Sequence, residues 1–331
     1  MKRQLLTLLR RCGVFASFRY LNKTKVLIVT YHRFAKEEDG RSTAVKAFGE
    51  QLDHLKEHYS VLSLTELGDC LNKHKPLPLR AAAITIDDGF HDAYDLAFPE
   101  LHTRGLPATV FVITDFTDQK IWLWTDKLRY LMSQLPVGPV SLSFEKHTVS
   151  FSLDGAFSRS NAAGKINSIL KTFPENTKNA AIDEMAAALN VSLPEKPPAE
   201  YAAMTWDQAR EMDRAGIEIG SHTVTHPILP NVDDEQLRHE LVDSRSKLEH
   251  ELGHPVTLFC YPNGSYNERV EAAVREAGYK VAVTTIPRLN DRQSDLHALA
   301  RVPAELDLDH FEQTTSGLEQ FKNRALQRGV Q

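Results

Sequence analysis

Short apolar runs recur along the chain, each closed by polar or turn-forming residues. They span residues 26–31 (VLIVTY), 81–86 (AAAITI), 109–113 (TVFVI), 217–220, 258–261, 281–284 and 299–302. Continuous apolarity, rather than alternation, predicts strands covered on both faces, as in a parallel sheet. Helix-like stretches lie between these runs. Residues 48–58 repeat apolar side chains at Phe48, Leu52 and Leu55. Thr205, with Gln208 three positions on, opens a helix that ends near Gly216. Residues 233–252 stop at Gly253 and residues 267–277 at Gly278, both plausible C-cap glycines. Strand and helix alternate, so the class is α/β. Seven or eight such units suit a closed sheet better than an open one, and a distorted (β/α)7–8 barrel is expected over residues 26–116 and 204–305.

Residues 117–203 break the rhythm and predict a subdomain inserted into the barrel. This stretch holds WLWTDKLRYLM, then the alternating SLSFEKHTVSFSL, which reads as a hairpin, then a polar helical segment and PEKPPAE. The aromatic residues of WLWTDKLRYLM are read first as core, and second as the lining of a substrate groove. Residues 306–331 read as a helical tail. Residues 1–25 read as an amphipathic helix, with Leu5, Leu6, Leu8, Leu9 and Val14 set among Lys2, Arg3, Arg10, Arg11 and Arg19. Packing on its own domain is the first expectation for that helix. Peripheral contact with an anionic membrane is the second.

Composition narrows the function. The 331 residues are 42% hydrophobic and 25% charged with a net charge of −5, which suits a soluble globular fold and disfavours a nucleic-acid partner. Three scattered cysteines, Cys12, Cys70 and Cys260, make neither a disulfide framework nor a CxxC site. The N-terminus lacks a small-residue cleavage signal, and no apolar run reaches 18 residues. A cytoplasmic location, at most membrane-associated, is expected on that basis.

Two strings carry the chemistry. Asp87-Asp88-Gly89 closes the second run, and Ser221-His222-Thr223-Val224-Thr225-His226 follows the fourth. Together they offer a carboxylate and two imidazoles to a metal, with a second carboxylate left over as a base. Neighbouring side chains on a strand point to opposite sides. The two acids therefore reach one centre only if the chain bends, and Gly89 allows a bend. His222 and His226, four apart, share one side if they occupy a helical turn. His32 follows the first run, at the end of a barrel strand where function collects. Tyr261-Pro262-Asn263-Gly264 is a turn whose N–H groups suit an oxyanion. Arg301, by the last run, is by default an ordinary salt-bridging arginine.

Taken together these residues resemble the polysaccharide deacetylase family, also called the NodB-homology domain or carbohydrate esterase family four. Thr85-Ile86-Asp87-Asp88-Gly89 is similar to its first motif, T-F-D-D-G, and Ser221 to His226 to its second, H-[ST]-x-x-H. Tyr261-Pro262-Asn263-Gly264 resembles a Y-P-x-G form of its third. The common third motif begins with Arg, where this chain has Phe259-Cys260; no Asp-Trp motif is present, and the late Leu-x-His motif has no convincing match, Leu296-His297 being too loose. Val29-Thr30-Tyr31-His32 instead resembles the subgroup that deacetylates poly-N-acetylglucosamine, in which a Tyr-His after the first strand supplies the acid.

The resemblance implies a NodB-like barrel. It implies Asp88, His222 and His226 as ligands of a divalent metal, with zinc expected first and cobalt, nickel or iron accepting the same donors. Asp87 is implied as the base and His32 as the acid. Tyr261, through its N–H, and Asn263 are implied at the oxyanion and substrate. Arg301 is assigned to that group too, or as a replacement for the missing arginine that tunes the base. The implied reaction removes N-acetyl groups from an amino sugar, a polysaccharide or a glycolipid precursor. An O-acetyl esterase is the enzymatic alternative, and a non-catalytic, metal-containing carbohydrate-binding protein the third. An intact Asp87 argues against the third, since binding alone needs no base.

Overall fold

In the computed structural model, which describes residues 2–319, the expected runs form one parallel sheet. Its seven main strands are β1 (Leu27–Tyr31), β2 (Ala81–Ile86), β3 (Thr109–Val112), β4 (Glu218–Ser221), β5 (Leu258–Cys260), β6 (Val281–Val283) and β7 (Val302–Pro303). They lie in the order β6-β5-β4-β3-β2-β1-β7, and the short strand Ser60–Val61 adds beside β2. The sheet curls until its edges meet across a narrow seam. Val302 pairs with Val29 of β1, while Leu299, three residues earlier, bridges Val283 of β6. The last run is thus not the single strand expected. Arg301 turns its N–H to the Ile286 carbonyl (3.1 Å), which splits the run between the two edges.

Alternation along the strands sorts their side chains. Leu27, Val29, Ala82, Ile84, Val110 and Ile219 pack against surrounding helices, with Leu52 and Leu101. Ile28, Ala83, Phe111, Leu258 and Val281 form a second cluster with Leu64 and Leu67 of the helix Leu64–Leu71. That helix is capped by Ser63, and Glu218 of β4 accepts from the Leu64 N–H (2.8 Å). The other helices start and stop where their caps place them. Thr205 and Gln208 form the expected capping box, Asp233 caps Asp234–Leu252, and Gly253 ends that helix at φ 77°.

The segment between β3 and β4 has a core of its own. The helix Trp124–Gln134, the antiparallel hairpin of Gly138–Phe144 and His147–Leu153, and the helices Ala156–Leu170 and Glu175–Ala188 share a cluster that includes Leu128, Phe144, Ile166 and Met185. Trp122 and Trp124 are buried, so these rings pack rather than line an open groove. The helix Lys2–Arg11 docks on the helix Leu308–Thr315 through Arg10 and Asp309 (2.7 Å). Leu5 and Leu8 stay exposed on it. No helix among the described residues is long and apolar enough to cross a membrane. The part of the expected tail from residue 320 onward lies outside the described residues.

Candidate metal and catalytic site

The ends of β1, β2, β4 and β5 bring the singled-out residues together. Thr85 points inward, so Asp87, two positions on, continues toward the centre of the barrel mouth and is 2% exposed. The chain then bends sharply: Asp88 and Gly89 take φ of 73° and 74°. Left-handed backbone suits glycine, and a Cβ on Gly89 would sit 2.9 Å from Val112 Cγ1. The double turn swings Asp88 beside its neighbour. Its Oδ1 lies 3.4 Å from His222 Nε2 and 3.6 Å from His226 Nε2.

His222 and His226 do not occupy a helical turn. They sit in a loop with Thr223 at φ 73° and His226 at φ 61°. The loop's polar backbone groups find partners outside a helix. Glu240 accepts from the Val224 N–H (2.8 Å), the Thr225 N–H (2.9 Å) and the Thr225 hydroxyl. Thr223 Oγ1 accepts from the His226 N–H (2.9 Å), and Thr114 N–H donates to the Thr223 carbonyl (3.1 Å). Burial pushes the Glu240 carboxyl up, against these bonds. Glu240 escaped the sequence reading. Its signal was a carboxylate on the buried stripe of its helix, with Leu237, Leu241 and Ser244.

One ligand atom from each of Asp88, His222 and His226 lies within 4.8 Å of the others, and this one-carboxylate, two-imidazole set fits a divalent cation such as zinc. His222 Nδ1 is tied to the Cys260 carbonyl (2.7 Å), which turns Nε2 to the centre. Asp87, His222 and Cys260 form a second group of the same compactness. It is the poorer metal site: both oxygens of Asp87 are engaged by Arg301, and burial raises the Cys260 thiol, disfavouring the ligating thiolate.

Of the two places expected of Arg301, the one at the substrate does not match its contacts. It is fully buried and faces no substrate; its Nη1 and Nη2 each donate to Asp87 at 2.7 Å. Nη1 also reaches Thr85 Oγ1 (3.0 Å), Nε the Thr284 carbonyl (2.8 Å) and Nη2 Cys260 Sγ (3.1 Å). Burial would raise the Asp87 pKa, but the Arg301 charge and its paired bonds outweigh it and hold the group down to about 2. Asp87 is therefore ionised at neutral pH. His32 Nε2 stands 3.6 Å from Asp87 Oδ2 with half its side chain exposed, at the mouth.

Tyr261 is the second correction. Its N–H is spent on the Val283 carbonyl (3.1 Å) and its hydroxyl on the His297 carbonyl (2.8 Å), so neither is free for an oxyanion. The turn's own bonds run from Gly264 N–H to the Tyr261 carbonyl (2.8 Å) and from Ser265 N–H to the Pro262 carbonyl (3.1 Å). They leave the N–H of Asn263, at φ 55°, without a role in the turn.

Beside the mouth, Arg33 lies 4.1 Å over the Phe90 ring and donates to Asp92 (2.6 Å) and to the Glu200 carbonyl. The charges of Asp126 and Asp88 both act on it.

Comparison with known proteins agrees with this architecture. A sequence profile described as polysaccharide deacetylase matches residues 74–282, more than half of the chain, and the chain belongs to that family. A Bacillus subtilis protein named for the same family, YxkH, is 35% identical over 99 residues, 30% of this chain and 36% of its own length. The peptidoglycan-N-acetylglucosamine deacetylase of Bacillus cereus is 32% identical over 74 residues, 22% of this chain and 34% of its own. The matched stretch therefore spans about a third of each of those curated relatives. Among solved structures, the Streptococcus pyogenes deacetylase PplD superposes with a TM-score of 0.58 at 20% identity, over 89% of this chain and 97% of that one. That likeness is one of fold, the curled NodB-type barrel.

Proposed function

We propose that this chain is a metal-dependent hydrolase that removes the N-acetyl group of an acetylated amino sugar. The convergence of Asp88, His222 and His226 within 4.8 Å, with the ionised Asp87 next to them, carries the reading. The name of the Bacillus cereus relative supports an N-acetylated sugar as the substrate class. Asp88, His222 and His226 would hold the ion, zinc first. When bound, such an ion acidifies a water and polarises the acetyl carbonyl.

The chain's own residues supply the rest. Asp87 is fixed by Arg301 with its Oδ2 turned toward His32, and it takes the proton of the attacking water. The Asn263 N–H, rather than that of Tyr261, donates to the oxygen that gains charge. His32 gives a proton to the departing nitrogen, a poor leaving group without one. Leu5 and Leu8 give the same reading a peripheral membrane contact, since they remain exposed beside Arg11.

The test is acetate release from a panel of N- and O-acetylated sugars by metal-loaded protein, with the metal content measured. Asp87→Asn keeps the metal and loses turnover by roughly 10²–10⁴-fold. Undiminished turnover in that variant rejects the base assignment.

A further inference from the structure

A cavity of about 170 Å³ opens where the inserted subdomain meets the barrel. Its walls are the helix Trp124–Gln134, the helix Ala156–Leu170 and the loop at Arg41. Arg41, Arg129 and Arg159, one from each wall, line it together with Ser133, Ser160 and Asn167. None of its lining residues is acidic.

The three guanidiniums are not equivalent. Arg129 Nη1 donates to the buried Asp126 (2.5 Å), which offsets its charge. Arg159 donates to the Met132 carbonyl (2.5 Å) and Arg41 to the Ala156 carbonyl (3.1 Å). Neither forms an ion pair with a carboxylate among the described residues. Asp39, the acid nearest Arg41 in sequence, is occupied by the N–H groups of Arg41 and Ser42 (2.7 Å each) and by the Ser42 hydroxyl (2.8 Å). Arg159 thus borders the cavity without a carboxylate partner, and Arg41 without a direct one, since Asp39 acts on it through its charge alone. The Asn167 Oδ1 at the same wall is buried and makes no hydrogen bond.

Arginine forks match tetrahedral oxyanions, and a phosphate monoester carries about −1.5 to −2 at neutral pH, close to the charge left open here. Asp126, which anchors Arg129, feels the charges of Arg33 and of the ligand Asp88.

We propose that this cavity receives a phosphate group of the substrate, so that the enzyme acts on an N-acetylated amino-sugar phosphate; the substrate part of this rests on the deacetylase reading. The Ser160 hydroxyl and the Asn167 amide nitrogen donate to the phosphate, and the Asn167 Oδ1 accepts from an adjoining sugar hydroxyl; the Ser133 hydroxyl already donates to the Tyr130 carbonyl (2.7 Å). The phosphate can belong to a soluble sugar phosphate or to a lipid-linked one, and the chemistry of recognition is shared.

The experiment uses metal-loaded, full-length protein. Inorganic phosphate is titrated calorimetrically into the wild type, Arg159→Gln and Arg41→Gln at fixed ionic strength. Acetate release is followed from N-acetylglucosamine, from N-acetylglucosamine 1-phosphate and from a lipid-linked N-acetylglucosamine phosphate in detergent. Each variant should weaken phosphate binding roughly ten- to hundredfold, the weight of a charge-assisted hydrogen bond. The wild type should prefer a phosphorylated sugar over the neutral one at least about tenfold in kcat/KM, and both variants should erase that preference.

Preference for the soluble or for the lipid-linked phosphate tells which source is used, and either supports the site. Phosphate binding that neither variant alters, or no preference for a phosphorylated sugar where acetate is released, overturns it. Variant-sensitive phosphate binding without acetate release from any sugar keeps the anion site and rejects the deacetylase reading instead. Arg159 also ties two helices together, whereas Arg41 lies in an exposed loop, so the Arg41 variant tests the site without disturbing the subdomain core.

Discussion

Arg301 grips Asp87 at two points, each 2.7 Å, although the residues are 214 positions apart and both are buried. Where the family's common third motif begins with an arginine, this chain has Phe259-Cys260, and the Cys260 thiol lies 3.1 Å from the Arg301 guanidinium. The same charge reaches the same carboxylate from another strand. The grip fixes both the direction and the ionisation of Asp87.

Removing one partner of a buried pair strands the other. Arg301→Met should lower stability by about 3–5 kcal/mol in urea melts. It should also raise the Asp87 pKa, so that the acid limb of kcat/KM moves to higher pH. Arg301→Lys, with charge but no fork, should fall between the two. A methionine variant with wild-type stability and an unmoved acid limb would contradict the role.

Asp88→Ala and His226→Ala should bring the metal content of purified protein to background, with the far-ultraviolet dichroism retained. Chelation of the wild type should abolish acetate release, and added zinc should restore it. Full metal content in both variants would point to the group of Asp87, His222 and Cys260 instead.

The leaving atom separates amide from ester chemistry. His32→Ala should cost roughly 10²–10⁴-fold on an N-acetyl sugar. On an O-acetyl sugar, whose alkoxide leaves more readily, the loss should stay within about tenfold. Equal losses on both substrates would remove His32 from the role of acid.

Glu240 accepts two N–H groups and a hydroxyl from the loop that holds His222 and His226. Glu240→Ala should therefore weaken metal binding by roughly 10–100-fold and stability by about 1–3 kcal/mol. Competition with a chelating dye, together with thermal melting, measures both. An unchanged metal affinity would show that the loop holds its shape unaided.

His54 gives the fold a pH dependence of its own. Burial, with Arg19 and His58 beside it, lowers its pKa to about 3; Arg10 adds to this, and Glu312, 3.6 Å away, opposes it. The unfolded value is about 6.5. Below that pH the unfolded chain binds a proton that the folded chain refuses, so stability falls as pH drops from about 6.5 toward 3. The expected loss between pH 7 and 5 is about 2 kcal/mol. His54→Asn should flatten that slope in urea titrations.

The sequence by itself determined most of the strands, most of the caps and the residues from which the proposed chemistry is built. Apolar runs between turn residues can be satisfied only as buried strands, and alternation then sets Asp87 in line with the inward-facing Thr85. The Thr205–Gln208 box and Gly253 mark helix ends because their bonds are local. Tertiary structure decided what depends on partners far away in the chain. The loop that holds His222 and His226 departs from a helical turn through the positive φ of Thr223 and His226, and Glu240, from a distant helix, accepts its N–H groups. Tyr261 loses its expected role because its N–H joins the neighbouring strand, and of the places open to Arg301 the curled sheet selects the one against Asp87. No local pattern encodes such pairings, since each depends on which strand lies next to which once the sheet has curled.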